Sequence, residues 1–277
     1  MRRALLFAFA LFALPAVNAA DLQPFSASYT ADWKQLPMSG GSASRSLEKN
    51  ANGTWTLNFK ASMMIASLTE VSTLKVDKDQ LLPQTYHFER GGLGKSKTVD
   101  LVFDWPTKFI TGSDRGDAVK IPLNAGVLDK STYQLALQHD VASGKKSMSY
   151  QVVDGDEIDT YDFRVLGTEK VETKVGSVDA IKVERVRDPT QNKRITVMWF
   201  AKDYDYLLVR LQQVETDGKE YNIMLQDGTV NGKSVKGSLY TPPPSALRKT
   251  RLHGGFFLGA ERHMGLHERF FMALNRV

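Results

Sequence analysis

Three dipeptides, Asn52-Gly53, Asp154-Gly155 and Asp217-Gly218, each stand between segments rich in aromatic and β-branched residues. Adjacent residues that tolerate positive φ suit the tight turns whose twist matches that of two paired strands, so each dipeptide predicts an antiparallel hairpin. The segments around them, among them Thr54 to Lys60, Val99 to Phe103, Ser147 to Val153 and Asn222 to Leu225, read as short strands. From Phe25 to about Gln226 this rhythm leaves room for roughly ten to thirteen strands, too many for a flat open sheet. The expected fold class is all-β: a strongly curled antiparallel sheet, as a barrel or half-barrel, with a split into two packed sheets as the other way out.

One segment breaks the rhythm. At about residues 129–142, Tyr133, Leu137 and Val141 recur at helical spacing with Leu135 alongside. Asp129 or Ser131 stands where an N-cap belongs, and Gly144 where the helix would stop. A single helix in a β chain has to bury its apolar stripe, and the concave face of the curled sheet is the expected place. There it would plug or line any cavity.

The two ends differ in kind from the body. Arg2 and Arg3, the apolar stretch Ala4 to Val17 and then Asn18-Ala19-Ala20 have the layout of a secretory signal peptide. With 0 cysteines there is no lipobox to acylate, no disulfide and no thiolate. No later apolar run approaches the roughly 20 residues a membrane span needs. The expectation is an exported, soluble periplasmic protein, not a lipoprotein, with no transmembrane segment after signal cleavage. Its organisation reads as a signal peptide over 1–20, a single β domain over 21–240, and a Pro-rich linker with a basic, weakly ordered or helical tail over 241–277. Three prolines, Pro242 to Pro244, mark that boundary, since none can donate to a strand ladder. The net charge of +5 resides in the two ends, which leave 28 basic and 29 acidic residues between Asp21 and Pro244. A near-neutral body gives no support to a nucleic-acid partner.

A succession of blocks carries a family resemblance. Tyr29 to Trp33 with Leu36-Pro37 and Gly41-Ser42-Ala43 comes first, followed by Asn52-Gly53-Thr54-Trp55, Leu82 to Tyr86 and Phe103-Asp104-Trp105. The helix around Tyr133-Gln134-Leu135, Ala180 to Arg185, Trp199 to Asp203 and Val209-Arg210-Leu211 complete the order. Together, from about residue 22 to 236, they resemble the bacterial domain-of-unknown-function family 3108. That resemblance implies an exported, mainly β protein and brings no catalytic or ligand residues with it.

Motifs for chemistry are sparse. Gly94-Lys95-Ser96 ends like a phosphate-binding loop, but Glu89 stands where the first glycine is needed. Ser46 to Lys49 and Ser143 to Lys146 match S-x-x-K without its companion motifs, and no G-x-S-x-G elbow occurs. His263 and His267 could share a helix face, yet a third metal ligand is lacking. The acidic run Asp154 to Asp159 lacks the order of a calcium loop and reads as a hairpin tip with solvated charges. Asp203 with Asp205 and Asp100 with Asp104 are carboxylate pairs of the kind glycoside hydrolysis uses, at a separation the sequence cannot supply. No catalytic residue, metal ligand or cofactor is assigned.

Large side chains remain. Trp33, Trp55, Trp105 and Trp199, with Tyr133 and Leu137 of the helix, are the candidate lining of an apolar cavity; core packing explains the same residues. The functional expectation is a non-enzymatic periplasmic protein that binds or carries an apolar or lipid-like ligand in a β-sheet cavity. An envelope assembly or interaction protein, with an envelope protein as its partner, is the alternative, and a polysaccharide hydrolase the second alternative.

Overall fold

The computed structural model describes residues 22–33, 40–63, 66–92, 96–188, 190 and 193–239; the signal and tail expected at the two ends lie outside them. The first half of the chain is a run of eight strands: β1 (Phe25–Trp33), β2 (Gly41–Lys49), β3 (Trp55–Met63), β4 (Ala66–Asp77), β5 (Gln80–Gly91), β6 (Lys97–Asp104), β7 (Phe109–Asp114) and β8 (Asp117–Pro122). A two-residue strand, β9 (Val127–Leu128), then leads into the helix α1 (Thr132–Ala142). The second half adds β10 (Ser147–Asp154), β11 (Glu157–Thr173), β12 (Gly176–Val186), β13 (Ile195–Ala201), β14 (Leu207–Val214), β15 (Glu220–Val230) and β16 (Lys233–Ser234).

All three hairpin dipeptides sit in turns. Gly53, Gly155 and Gly218 have φ of +81°, +72° and +80°, in the left-handed region that glycine enters without steric cost. At Gly155 space is also limiting, because a Cβ there would lie 2.5 Å from Asp114 Oδ2.

Each half of the chain is a meander in which neighbours in sequence pair antiparallel, and the two meanders join at a single seam between β1 and β15. A bulge at Ser28/Tyr29 interrupts that seam. The extra residue is Gln226 on β15, where inward alternation breaks so that Gln226 and Asp227 are both exposed, while Tyr29 keeps the inward face of β1.

Among the described residues the strand path is open and runs through fifteen strands, from β8 on one side to β9 on the other, with β16 paired to β15 off that path. Among the described residues no ladder joins those ends, so the sheet is not the strongly curled barrel or half-barrel expected from strand number. The physical reason lies in the edges. β9 is only two residues long and pairs parallel to β10, while β8 ends in Pro122, which has no N–H to give. The strand number is also higher than expected, partly because β9 and β16 are too short to read as strands.

Alternation sets which side chains face inward. In β2 the buried positions are Gly41, Ala43, Arg45 and Leu47, and in β4 they are Ala66, Leu68, Glu70, Ser72 and Leu74. α1 lies against β5 and β10 and buries Tyr133, Leu135, Leu137 and Val141, the residues its spacing marked out. Tyr133 enters a cluster with Tyr150, Tyr161 and Phe163 at centroid distances of 6.4, 5.2 and 5.8 Å. Aromatic contacts of this kind contribute about 0.5–1.5 kcal/mol each beyond area burial. At the C-terminal end, Ser143 N–H donates to His139 O, Gly144 N–H donates to Val141 O, and Gly144 has φ +84°. Among the described residues no helix is long and apolar enough to cross a membrane.

Candidate functional site

The inward rows of β2 and β4 each carry one charged residue where the pattern calls for an apolar one. Arg45 faces Ala27 of β1 and Phe59 of β3 in register, and Phe59 in turn faces Glu70 of β4. The two charges are therefore two strands apart, roughly 9–10 Å across the sheet, with Phe59 between them. Both are only 4% exposed.

A pocket lies over this row. Tyr29, Arg45, Phe59 and Glu70 line it from β1 to β4, Leu208, Leu211 and Ile223 from β14 and β15, and Gln134 from α1. Phe59 and Gln134 are half-buried while the other six are buried, which places the opening between those two. Its free volume is about 20 Å³. A water needs some 10–15 Å³ by this measure, so the pocket as it stands holds about one.

Most of the polar groups around the pocket are paired. Tyr29 O–H donates to Leu208 O at 2.9 Å, Tyr86 O–H donates to Glu70 Oε1 at 2.7 Å, and Gln134 Nε2 donates to Lys130 O at 3.2 Å. Arg45 is the exception. Its guanidinium lies 5.3 Å from the Phe25 ring centroid, and neither Nη1 nor Nη2 has a hydrogen-bond partner. Leaving a buried charge unpaired costs several kcal/mol, so the fold tolerates here something that packing alone would remove.

Beside the pocket, buried polar groups tie the sheet to the head of α1. Asp129 Oδ1 accepts from Ser72 Oγ, Ser131 N and Thr132 N, and Oδ2 accepts from Thr132 Oγ1. Of the two expected capping residues it is thus Asp129 whose side chain caps, while Ser131 makes no side-chain cap bond. Lys130 Nζ pairs with Asp154 at 2.7 Å, so the hairpin tip read as solvated contributes a carboxylate to a lysine that is 6% exposed. Burial pushes the Glu70 carboxyl up to about 7, against smaller opposing effects of the Tyr86 hydrogen bond, Lys130 and Arg45 and a supporting one of Asp129. The Asp129 carboxyl is also raised by burial, with its hydrogen bonds opposing. A buried carboxyl raised toward neutrality near a buried cation makes this row the candidate site.

Of the six candidate lining residues, the five with described side chains do not border this pocket. Trp33 ends β1, and its side chain lies outside the described residues. Trp55 is buried under Lys49, whose Nζ is 5.6 Å from its ring. Trp105 is half-buried and donates from Nε1 to Pro83 O at 2.8 Å. Trp199 lies between Arg210 and Lys182, at 4.5 and 5.3 Å, and donates to Glu169 Oε1 at 2.6 Å. Tyr133 and Leu137 are buried on α1 and do not line the pocket, although Gln134 beside Tyr133 does. The carboxylate pairs are dispersed: Asp100 binds His87 Nδ1 at 2.7 Å, Asp104 accepts from Thr107 N, and the Asp205 carbonyl accepts from Gln138.

The fold invites comparison with known proteins. The family described as Protein of unknown function (DUF3108) matches residues 28–226. The chain belongs to the DUF3108 family. Every strand that lines the pocket, β1 to β4, β14 and β15, falls wholly or mostly within the DUF3108 match, as does α1. No curated protein matches this DUF3108 chain. Among solved structures, it is similar to a β-barrel-like protein of domain of unknown function DUF1849 from Brucella abortus. The two share 12% identity at a TM-score of 0.52, covering 76% of this chain and 98% of that one. That likeness is one of fold alone.

Proposed function

We propose that this DUF3108 protein is an exported, non-catalytic binding protein of the periplasm that takes an apolar, lipid-like ligand into the pocket beneath α1. One observation carries the reading: four apolar side chains from both meanders, Phe59, Leu208, Leu211 and Ile223, converge under a helix on a pocket with a half-buried mouth. Apolar walls with a few placed polar groups are the usual make-up of a small-molecule site. With room for about one water, the described conformation is the closed one, and a ligand enters as Phe59, Gln134 and α1 yield.

An interaction role draws on the open outer edge of β8. That edge carries Asp117, Lys120 and Pro122, residues that disfavour strand addition, which leaves the pocket as the stronger basis. The carboxylates scattered through turns and outer faces lend no support to polysaccharide hydrolysis.

A titration of the purified protein with a fluorescent fatty acid tests the proposal. Saturable one-to-one binding that Ile223→Trp abolishes, with the melting transition retained, is the expected result. Absence of binding by any acyl probe, together with no lipid co-purifying in native mass spectrometry, would remove the proposal.

A further inference from the structure

We infer that Arg45 is the seat of a carboxylate head, so that the pocket takes a single-chain monocarboxylate with its head inward and its tail along Leu208, Leu211 and Ile223 toward the Phe59 and Gln134 mouth. The inference rests on the reading that the pocket binds an apolar ligand, and it adds the chemical class.

The argument starts from what is left unpaired. Tyr29, Glu70 and Gln134 each already have a hydrogen-bond partner, so the unused donors on the lining belong to Arg45. Its free Nη1 and Nη2 form the planar fork that matches the two oxygens of a carboxylate. A water in the 20 Å³ space could accept one of those hydrogen bonds but would leave the charge without a counter-ion. A phosphate dianion would bring a second negative charge to a lining with one cation and the Glu70 carboxyl beside it. A monoanion balances the site. The tail follows from the wall, since a short carboxylate such as acetate would leave the apolar surface uncovered.

Isothermal titration at pH 6 with dodecanoate, dodecanol and acetate tests this, on the wild type and on Arg45→Met and Arg45→Gln. In the wild type, dodecanoate should bind at least about tenfold more tightly than dodecanol, the scale of a charge-assisted pair, and acetate only weakly. Both variants should bring that ratio close to one while still binding dodecanol, which also shows that they fold. Equal binding of acid and alcohol by the wild type, or an acid preference that survives both substitutions, overturns the head-group assignment and leaves the apolar pocket standing. Acetate binding as tightly as dodecanoate overturns the acyl class in favour of a simple anion site. Binding of neither dodecanoate nor dodecanol overturns the pocket's function and this inference with it.

Discussion

The Ser72 hydroxyl on β4 donates a 2.8 Å hydrogen bond to Asp129 Oδ1 at the head of α1, and both residues are wholly buried. The same carboxylate receives Ser131 N and Thr132 N, so one side chain both caps the helix and ties it to the sheet. Asp129→Ala strands four buried donors and should cost about 3–5 kcal/mol in urea unfolding. Asp129→Asn keeps an acceptor and should cost less. Equal losses in the two variants would mean that charge, and not acceptance, holds the joint.

Arg45→Met should stabilise the protein. It exchanges an unpaired buried guanidinium for an apolar side chain of similar length and so removes a desolvation cost of several kcal/mol. The expected signature is a higher urea midpoint at unchanged slope. A stabilising change that also removes the acid-over-alcohol preference would mark Arg45 as kept for binding; a lowered midpoint would show that surrounding groups already balance its charge.

Glu70 makes stability depend on pH. Its carboxyl is raised from 4.5 to about 7, so between those values the folded chain holds a proton that the unfolded chain has released. Its contribution is complete below pH 4.5, declines as pH rises and is gone above 7. At 1.36 kcal/mol per unit the span is on the order of 3 kcal/mol. Glu70→Gln, measured at pH 5 and pH 8, should therefore become more stable relative to wild type at the higher pH; a difference that does not vary with pH counts against a raised Glu70.

The same titration bears on the ligand. Glu70 is faced by Tyr86 of β5, by Asp129 and Lys130 at the head of α1 and by Arg45 of β2, and its ionisation adds negative charge beside the carboxylate seat. Dodecanoate affinity should fall as pH rises from 6 to 8, and dodecanol affinity should stay level. Glu70→Gln should flatten the dodecanoate profile.

Trp199 provides a control away from the pocket. Trp199→Phe removes the donor to Glu169 and part of the stack between Arg210 and Lys182, at a cost of about 1–3 kcal/mol. Dodecanoate binding should be unchanged. A weaker affinity would bring Trp199 back into consideration as a ligand contact.

Local features of this fold are legible in the residues. The turns at Gly53, Gly155 and Gly218 depend on a positive φ that the dipeptide itself permits, and α1 follows from the spacing of Tyr133, Leu137 and Val141. Whether two sheet edges join is not local. It depends on how twist accumulates across all the strands that lie between β8 and β9 in the sheet, and periodicity carries no such information. The site was partly legible: Ala43, Arg45 and Leu47 share one face by simple alternation, and a cation in that row is the signal that was missed. Trp55, Trp105 and Trp199 carried none, because core packing and ligand lining call for the same side chains.

The seam between β1 and β15 gives the pocket a mechanical meaning. Tyr29, Arg45, Phe59 and Glu70 stand on one side of that junction and Leu208, Leu211 and Ile223 on the other. A guest lodged there would act as a clasp across the line where opposite ends of the polypeptide zip together. It would grip only after the zip had closed, and would hold it shut while it stayed.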